Sequence, residues 1–548
     1  MNVEWLHGEV EVRCPVCGTG GAKARVLAAD HVIPDRLRVT LLRCSCGAAF
    51  LSDLTIPDYG SVGGQVSHGL DYHVEQAFGF DPMAPVLLRL PPDSVRRCLD
   101  VGCAFGFMLD FARFTFGCEV MGVDPSGLGP AGAEALGLPI VHDYLTPALD
   151  LGREPFDLIL CSEVLEHVAD PHALLAAIAA RLAPDGLLVL TTPNVDAVHQ
   201  EAAVGDLIRT LSPGLHLVLF DAALLTRVLD EAGFSAVRVE ASPTTLVAIA
   251  GRGGGAGTRR ALDRVAPACT DRSPLLRYFD ARADQTPPLS ALARGFAYRH
   301  FRDCVNAGDH AAAAVSQERL ARLYVERFGV DLQRPQGAAA ATATNGAAAA
   351  TGVGGSYNLS GALYFSAILE LNGRQSPRRA AEYFAAAVVA ADAILARMPS
   401  TVLDGETEAL CLRSRVLLPM AVAAFDAGGA LRQLAALDAL AAAGGIPTGA
   451  CAEARKRVFV RLVHAGELDA AEGLAGELAP ATAQADPVDL VELETRYCLA
   501  MLALQRGRPR EAAAGFDAVR RVAEHSGGDA ATVLLWAAAY HEGLALQR

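Results

Sequence analysis

The sequence predicts an α/β fold: a doubly wound, mostly parallel sheet with an antiparallel edge, a small cysteine module before it and an all-helical half after it. Three observations predict this. Short apolar runs alternate with helical stretches from about Arg97 to Ala250. Four cysteines pair up near the start, as Cys14-Pro-Val-Cys17-Gly and Cys44-Ser-Cys46-Gly. Beyond about residue 250 the strand patterns stop, and Ala-rich amphipathic stretches run to the end.

The cysteine module comes first, over residues 1–60. A Cys-x-x-Cys-Gly turn aims two thiolates at one centre, and Gly supplies the positive φ that the turn needs. Two such turns on facing hairpins complete a tetrahedral Cys₄ site, so Cys14, Cys17, Cys44 and Cys46 read as ligands of a structural zinc in a zinc-ribbon-like module. The second pair is one residue short of Cys-x-x-Cys, which leaves His31 as a spare ligand. The alternative is four unliganded thiols. The chain has 13 cysteines. The other nine sit in apolar contexts, such as Cys98, Cys118, Cys411 and Cys498, and read as small buried hydrophobes.

The sheet occupies residues 61–250. RCLDV (97–101), CEVMGVD (118–124), PIVHD (139–143), FDLILC (156–161) and LLVLTT (187–192) read as buried strands. SAVRVE (235–240) and TTLVAIA (244–250) read as a terminal hairpin around a Ser-Pro turn. A helix is expected from Pro171 to Leu182, with Asp170 as its N-cap and Pro171 at the first helical position. Pro184-Asp185-Gly186 is expected to turn into the next strand.

Gly251–Gly257 reads as a flexible break. A helical connector is expected over 251–335, a low-complexity linker over 336–356, and a helical domain over 357–548. A turn theme recurs there: Asn372-Gly373, Ala465-Gly466 and Arg506-Gly507 each precede a new amphipathic stretch, and Ala307-Gly308-Asp309 lies upstream. These resemble tetratricopeptide-type helical hairpins with irregular spacing, so an all-α solenoid is expected, or else a plain bundle.

Composition narrows the function. Of 548 residues, 52% are hydrophobic, yet no apolar run approaches the ~20 residues of a membrane span, so no membrane insertion is expected. The opening MNVEWLHGEV lacks the pattern of a signal peptide, and the many cysteines then suggest reduced thiols in the cytoplasm. Asp and Glu number 62 against 47 Lys and Arg, a formal charge of −15. Such a balance argues against a nucleic-acid partner.

The chemistry lies along the carboxyl edge of the sheet. Leu99-Asp100-Val101-Gly102-Cys103-Ala104-Phe105-Gly106 closes one strand and opens a helix. Gly102 lets the backbone pass close to a ligand, and Gly106 lets the helix approach the sheet. Asp124 ends the next strand, where a carboxylate can accept ribose hydroxyls. Asp143 follows the third, where it can accept from an adenine amino group. Together these make an adenosine site.

CLDVGCAFGFML, VMGVDPS, FDLILCSEVLEHVADP, RLAPDGLLVLTTPN and HLVLFDAALLTRVLDEAGF resemble the motifs of class I S-adenosylmethionine-dependent methyltransferases. The similar group includes ubiquinone-biosynthesis O-methyltransferases and many sugar methyltransferases. The resemblance covers about residues 70–250 and implies a Rossmann-like sheet with S-adenosylmethionine as methyl donor. It implies cofactor contacts along Asp100, Gly102, Cys103, Ala104, Gly106, Asp124, Asp143 and Cys161. Ala104 departs from the Gly that many members carry; Ala is small enough to keep the turn.

Glu163, Glu166 and His167 follow the fourth strand at i, i+3 and i+4, which on a helical turn share one face. Three readings stay open. His167 could be a general base. The trio, with His216, could hold Mg²⁺ or a similar ion. Or the carboxylates could cap backbone amides beneath the cofactor. The segment between Asn194 and His216 is expected to fold over the acceptor, with Tyr72 and His73 on the other side. The expected activity is O-methylation of a small hydroxylated acceptor: a sugar, a nucleotide-sugar or a natural product. Methylation of RNA or protein is an alternative. So is a scaffold whose helical repeats bind a protein partner.

Overall fold

The computed structural model of the protein describes residues 2–31, 37–59, 70–77, 79–202, 204–252, 256–269, 271–285, 290–344, 356–396, 405–478, 489–524 and 529–547. They fall in two compact units that divide between Arg299 and His300.

The first unit is built on two sheets. Its strands are β1 (Val3–Trp5), β2 (Glu9–Glu11), β3 (Ala22–Ala29), β4 (Val39–Arg43), β5 (Ala49–Leu51), β6 (Arg97–Val101) and β7 (Glu119–Val123). They continue as β8 (Ile140–Val141), β9 (Phe156–Ser162), β10 (Leu182–Pro193), β11 (Val218–Leu219), β12 (Phe234–Ala241) and β13 (Thr245–Arg252). The larger sheet runs β12-β13-β10-β9-β6-β7-β8. β8, β7, β6, β9 and β10 are parallel, and β13 and β12 close the edge antiparallel. The inner strands read as near-continuous apolar runs because helices cover both faces: Leu99, Ile159, Leu160 and Leu188 are fully buried. All seven expected strand runs lie in this sheet.

Two local expectations are corrected. The helix from Pro171 ends at Ala179 rather than Leu182, although Asp170 caps it as expected, accepting from the Ala173 N–H at 3.0 Å. Pro184-Asp185-Gly186 does not precede the next strand but lies inside β10. Leu182 pairs with Phe156 and Leu187 with Leu158, so the three residues form a bulge on the β9 edge.

The smaller sheet is antiparallel, in the order β1-β3-β4-β5-β11 with β2 also on β3. β11 comes from far along the chain. Val218 pairs with Phe50 and Leu219 with Ala49. Leu27, Leu41 and Phe50 share one core with Leu99, Ile159 and Leu190 of the large sheet. The cysteine module therefore packs into the α/β core instead of standing apart from it. Helix Leu70–Gln76 is pinned by a buried ion pair, Glu75 with Arg294, at 2.5 Å.

The second unit is all-helical. It includes His310–Phe328, Leu359–Asn372, Pro377–Leu395, Gly405–Ala423, Thr448–Ala465, Leu490–Gln505, Pro509–Ala523 and Asp529–Gln547. Each of these from Leu359 onward packs on the helix before it and the one after it, as stacked hairpins do. Ala380, Ala387, Ala390 and Ala391 are buried at such contacts, where small side chains let helices approach closely. Gly308, Gly466 and Gly507 hold positive φ at the helix ends the sequence marked. The connector expected over 251–335 is divided between the two units. The linker expected over 336–356 begins inside a helix, Pro335–Thr344, and its residues 345–355 lie outside the described residues, as do 253–255 of the expected Gly-rich break. Among the described residues no helix is long and apolar enough to cross a membrane.

Candidate active site and cysteine centre

The loop after β6 forms because its residues adopt left-handed backbone. Gly102 has φ +72°, and a Cβ there would lie 2.3 Å from the Val164 side chain. Gly106, at φ +85°, opens helix Phe107–Phe116. Ala104 also has positive φ, +46°, a strained conformation for any residue with a Cβ. The turn survives the Gly-to-Ala departure at that cost. Asp124 braces it: its Oδ2 accepts from the Ala104 N–H at 2.7 Å, and its Oδ1 accepts from the Ser126 N–H at 2.8 Å and from the Ser126 hydroxyl. Oδ1 is thus filled, and Oδ2 keeps one lone pair for a hydroxyl.

A cavity of about 550 Å³ opens at this edge. Gly102, Asp124, Asp143, Glu163 and His167 all line it, so five of the expected site residues meet in one cavity. Asp100, Cys103 and Cys161 are buried behind it. Burial, with Asp124 close by, pushes the Asp100 carboxyl well above its usual range. Burial likewise raises the Cys103 and Cys161 thiols. Much of the remaining lining is apolar, including Ile56, Leu128, Leu145, Val168, Leu174 and Leu215.

The turn after β9 corrects the expectation of a shared helical face. Leu165–His167 is a single 3₁₀ turn, and Glu163 before it has φ +53°. Glu163 lines the cavity, while Glu166, whose carboxyl interacts with that of Glu163, is wholly buried. Thr192 Oγ1 donates to Glu166 Oε2 at 2.9 Å, and no described donor reaches the buried Oε1. Burial, then the neighbouring Glu163, push Glu166 well above the usual carboxylate range. Burial raises Glu163 as well.

Ligating atoms of Glu166, His167 and His216 lie within 4.8 Å of one another, and Glu163 is outside that set. The two imidazoles meet edge to face at 4.7 Å. His216 Nδ1 lies 2.7 Å from the Thr210 carbonyl, and His167 Nδ1 lies 3.0 Å from the Leu215 carbonyl. A carbonyl only accepts, so both rings carry their proton on Nδ1. Burial lowers His167 to about 3 and His216 to about 4.

Sequence reasoning missed Tyr59. Its hydroxyl lies 2.7 Å from His167 Nδ1, and it lines the cavity. Nothing local in the sequence marks it. His73 lines the cavity as expected, whereas Tyr72 is buried. Between Asn194 and His216, Leu207, Ile208 and Leu211 are core residues, and Leu215 alone of the described stretch lines the cavity.

The four N-terminal cysteines converge. Cys14 and Cys46 Sγ are 3.8 Å apart, and Cys17 and Cys44 Sγ are 3.7 Å apart. A tetrahedral zinc with ~2.3 Å metal–sulfur bonds has edges of ~3.8 Å, so the donor set fits that ion. The shorter second turn still closes, with the Gly47 N–H donating to the Cys44 carbonyl at 3.1 Å. His31 stands elsewhere, against Gly214. His172 Nε2 donates to the Val16 carbonyl at 2.8 Å, and Arg227 donates to the Cys46 carbonyl at 2.7 Å, so helices of the large sheet hold both turns.

Residues 73–239 match the family model described as a methyltransferase domain. A ubiquinone biosynthesis O-methyltransferase from Rhodopseudomonas palustris (strain HaA2) is 39% identical over 103 residues, 18% of this chain and 40% of that protein. Its counterpart from Cereibacter sphaeroides (strain ATCC 17029 / ATH 2.4.9) is 40% identical over 134 residues, 23% of this chain and 51% of that protein. The chain thus spans about half the length of these curated relatives, or less. Among solved structures, an O-methyltransferase family protein from Burkholderia thailandensis aligns with a TM-score of 0.31 and 16% identity, covering 37% of this chain and 66% of that one. An S-adenosylmethionine-dependent methyltransferase from Mesorhizobium loti aligns with a TM-score of 0.27 and 22% identity, covering 32% and 100%. Residues 73–239 are thus the part of the chain that is similar to methyltransferases.

Proposed function

We propose that the protein transfers a methyl group from S-adenosylmethionine to an oxygen of a small hydroxylated acceptor bound in the cavity. One observation carries this reading: Gly102, Asp124 and Asp143 line the same cavity as Glu163 and His167. The relatives named as O-methyltransferases favour oxygen as the nucleophile. The apolar lining favours an acceptor with a hydrophobic ring face.

S-adenosylmethionine supplies an electrophilic methyl carbon. That methyl would pass to an acceptor oxygen as its bond to sulfur breaks, with the electron pair staying on sulfur. Asp124 Oδ2 would hold a ribose hydroxyl, and Asp143 would accept from the adenine amino group. Glu163 takes the acceptor proton. It is the one carboxylate of the E-x-x-E-H run open to the cavity, and its raised carboxyl is a better base than an ordinary one. His167 serves poorly as a base, because an imidazole held near 3 has little affinity for a proton at neutral pH. Calorimetry with S-adenosylmethionine tests the cofactor site: Asp124→Ala is expected to weaken binding roughly 10–100-fold. No binding to the unmodified protein would reject the reading.

The cysteine centre is read as a structural zinc site. Cys17→Ser is expected to lower metal content, measured by elemental analysis, and to lower the melting temperature. Full stability without metal would leave four plain thiols. The orphaned Glu166 Oε1 favours a second reading of the inner cluster, a divalent ion held by Glu166, His167 and His216. Turnover that survives chelators would exclude it.

A further inference from the structure

Tyr59 lies outside the matched segment 73–239, yet it lines the cavity. Its ring stands edge-on to His167, with centroids 5.7 Å apart. The His167 Nδ1–H is fixed by the Leu215 carbonyl at 3.0 Å, and the Tyr59 oxygen lies 2.7 Å from the same nitrogen. That oxygen therefore accepts a share of the Nδ1 proton. The phenolic hydrogen is not needed there and is left to point elsewhere. Ile56, three residues earlier, lines the same cavity and adds apolar surface to it.

We propose that Tyr59 is the acceptor-binding residue of this cavity, donating its O–H to the oxygen that receives the methyl group while His167 Nδ1–H holds the phenol oxygen in place. The proposal rests on the methyltransferase reading above. Two features support it. A phenol carries its proton at neutral pH and is a donor there. The cavity otherwise offers mostly apolar surface around it, so a hydroxyl on a hydrophobic ring matches both the donor and the walls. Recognition of the acceptor is then assigned to the N-terminal extension, and cofactor recognition to the matched domain.

The test uses the full chain loaded with S-adenosylhomocysteine and two small probes of similar shape, phenol and toluene, which carry a hydroxyl and a methyl group on the same ring. The unmodified protein is expected to bind phenol at least tenfold more tightly than toluene, followed by NMR line shifts of the probe. Tyr59→Phe is expected to erase that preference while leaving S-adenosylhomocysteine affinity within about twofold. Nitrogen-15 signals of His167 should move in the variant and keep the Nδ1–H tautomer. Equal binding of both probes to the unmodified protein overturns the proposal, and so does a preference that survives Tyr59→Phe. Failure of S-adenosylhomocysteine itself to bind would instead reject the underlying methyltransferase reading.

Discussion

Glu163 combines three properties that seldom coincide by accident: a positive φ, an open face on the cavity, and a carboxyl raised by burial. Backbone strain at a non-glycine residue persists only where the surroundings enforce it, and such residues gather at working sites. As the base, Glu163 must be ionised to act. The rate of methyl transfer from labelled S-adenosylmethionine should therefore fall as pH drops through its raised value and level off above it. Glu163→Gln should lower kcat/KM by about 10²–10⁴-fold and abolish that acid limb. A variant with unchanged turnover would remove Glu163 from the chemistry. The residue scale also shows where sequence stops being legible. The place of Asp124 and Asp143 on the cavity was readable, because strand ends in this fold open onto it. Tyr59 was not, since its role depends on a contact with His167 across the fold.

At the scale of elements, the strands were legible because their apolar runs are continuous and short. The segment Pro184–Gly186 was not. Its residues are those of a turn, but β9 offers a pairing edge that absorbs them as a bulge. The E-x-x-E-H run was legible in composition but not in burial: a 3₁₀ turn after a left-handed residue leaves Glu163 lining the cavity and Glu166 beside it wholly buried. That turn and the chain leading into β11 bury His167, Glu166 and His216 together, and they set opposing pH dependences. Each histidine titrates near 6.5 when unfolded and near 3 or 4 when folded. The unfolded chain then binds more protons as pH falls below about 6.5, so stability drops toward acid, by about 2 kcal/mol per histidine at pH 5. Glu166 acts oppositely. Its folded value is raised, so its stabilising share is complete below about 4.5 and is lost as pH climbs. Thermal melts across pH should show His216→Asn easing the acid loss and Glu166→Gln easing the alkaline loss. Parallel pH curves for all three proteins would contradict this account.

At the scale of the whole molecule, the two units differ in what a ligand can do for them. The cavity belongs to the first. S-adenosylhomocysteine at a hundred times its Kd should stabilise that unit by about 2.7 kcal/mol and leave the melting of the helical unit unmoved. Scanning calorimetry with and without ligand checks this, and a uniform shift of all the heat absorption would argue against it. The positive mean hydropathy of +0.27 has its physical reason in the Ala-rich helices, whose small side chains pack helix on helix instead of facing a bilayer. The pairing of β5 with β11 carries a consequence for how the chain is made. Ala49, Phe50 and Leu51 leave the ribosome about 170 residues before their partners. At ~5–20 residues per second, that is roughly 10–30 s of waiting. Throughout it a bare apolar strand edge is open to whatever nascent chain lies beside it. Crowded polysomes are therefore where this edge is open to misassembly.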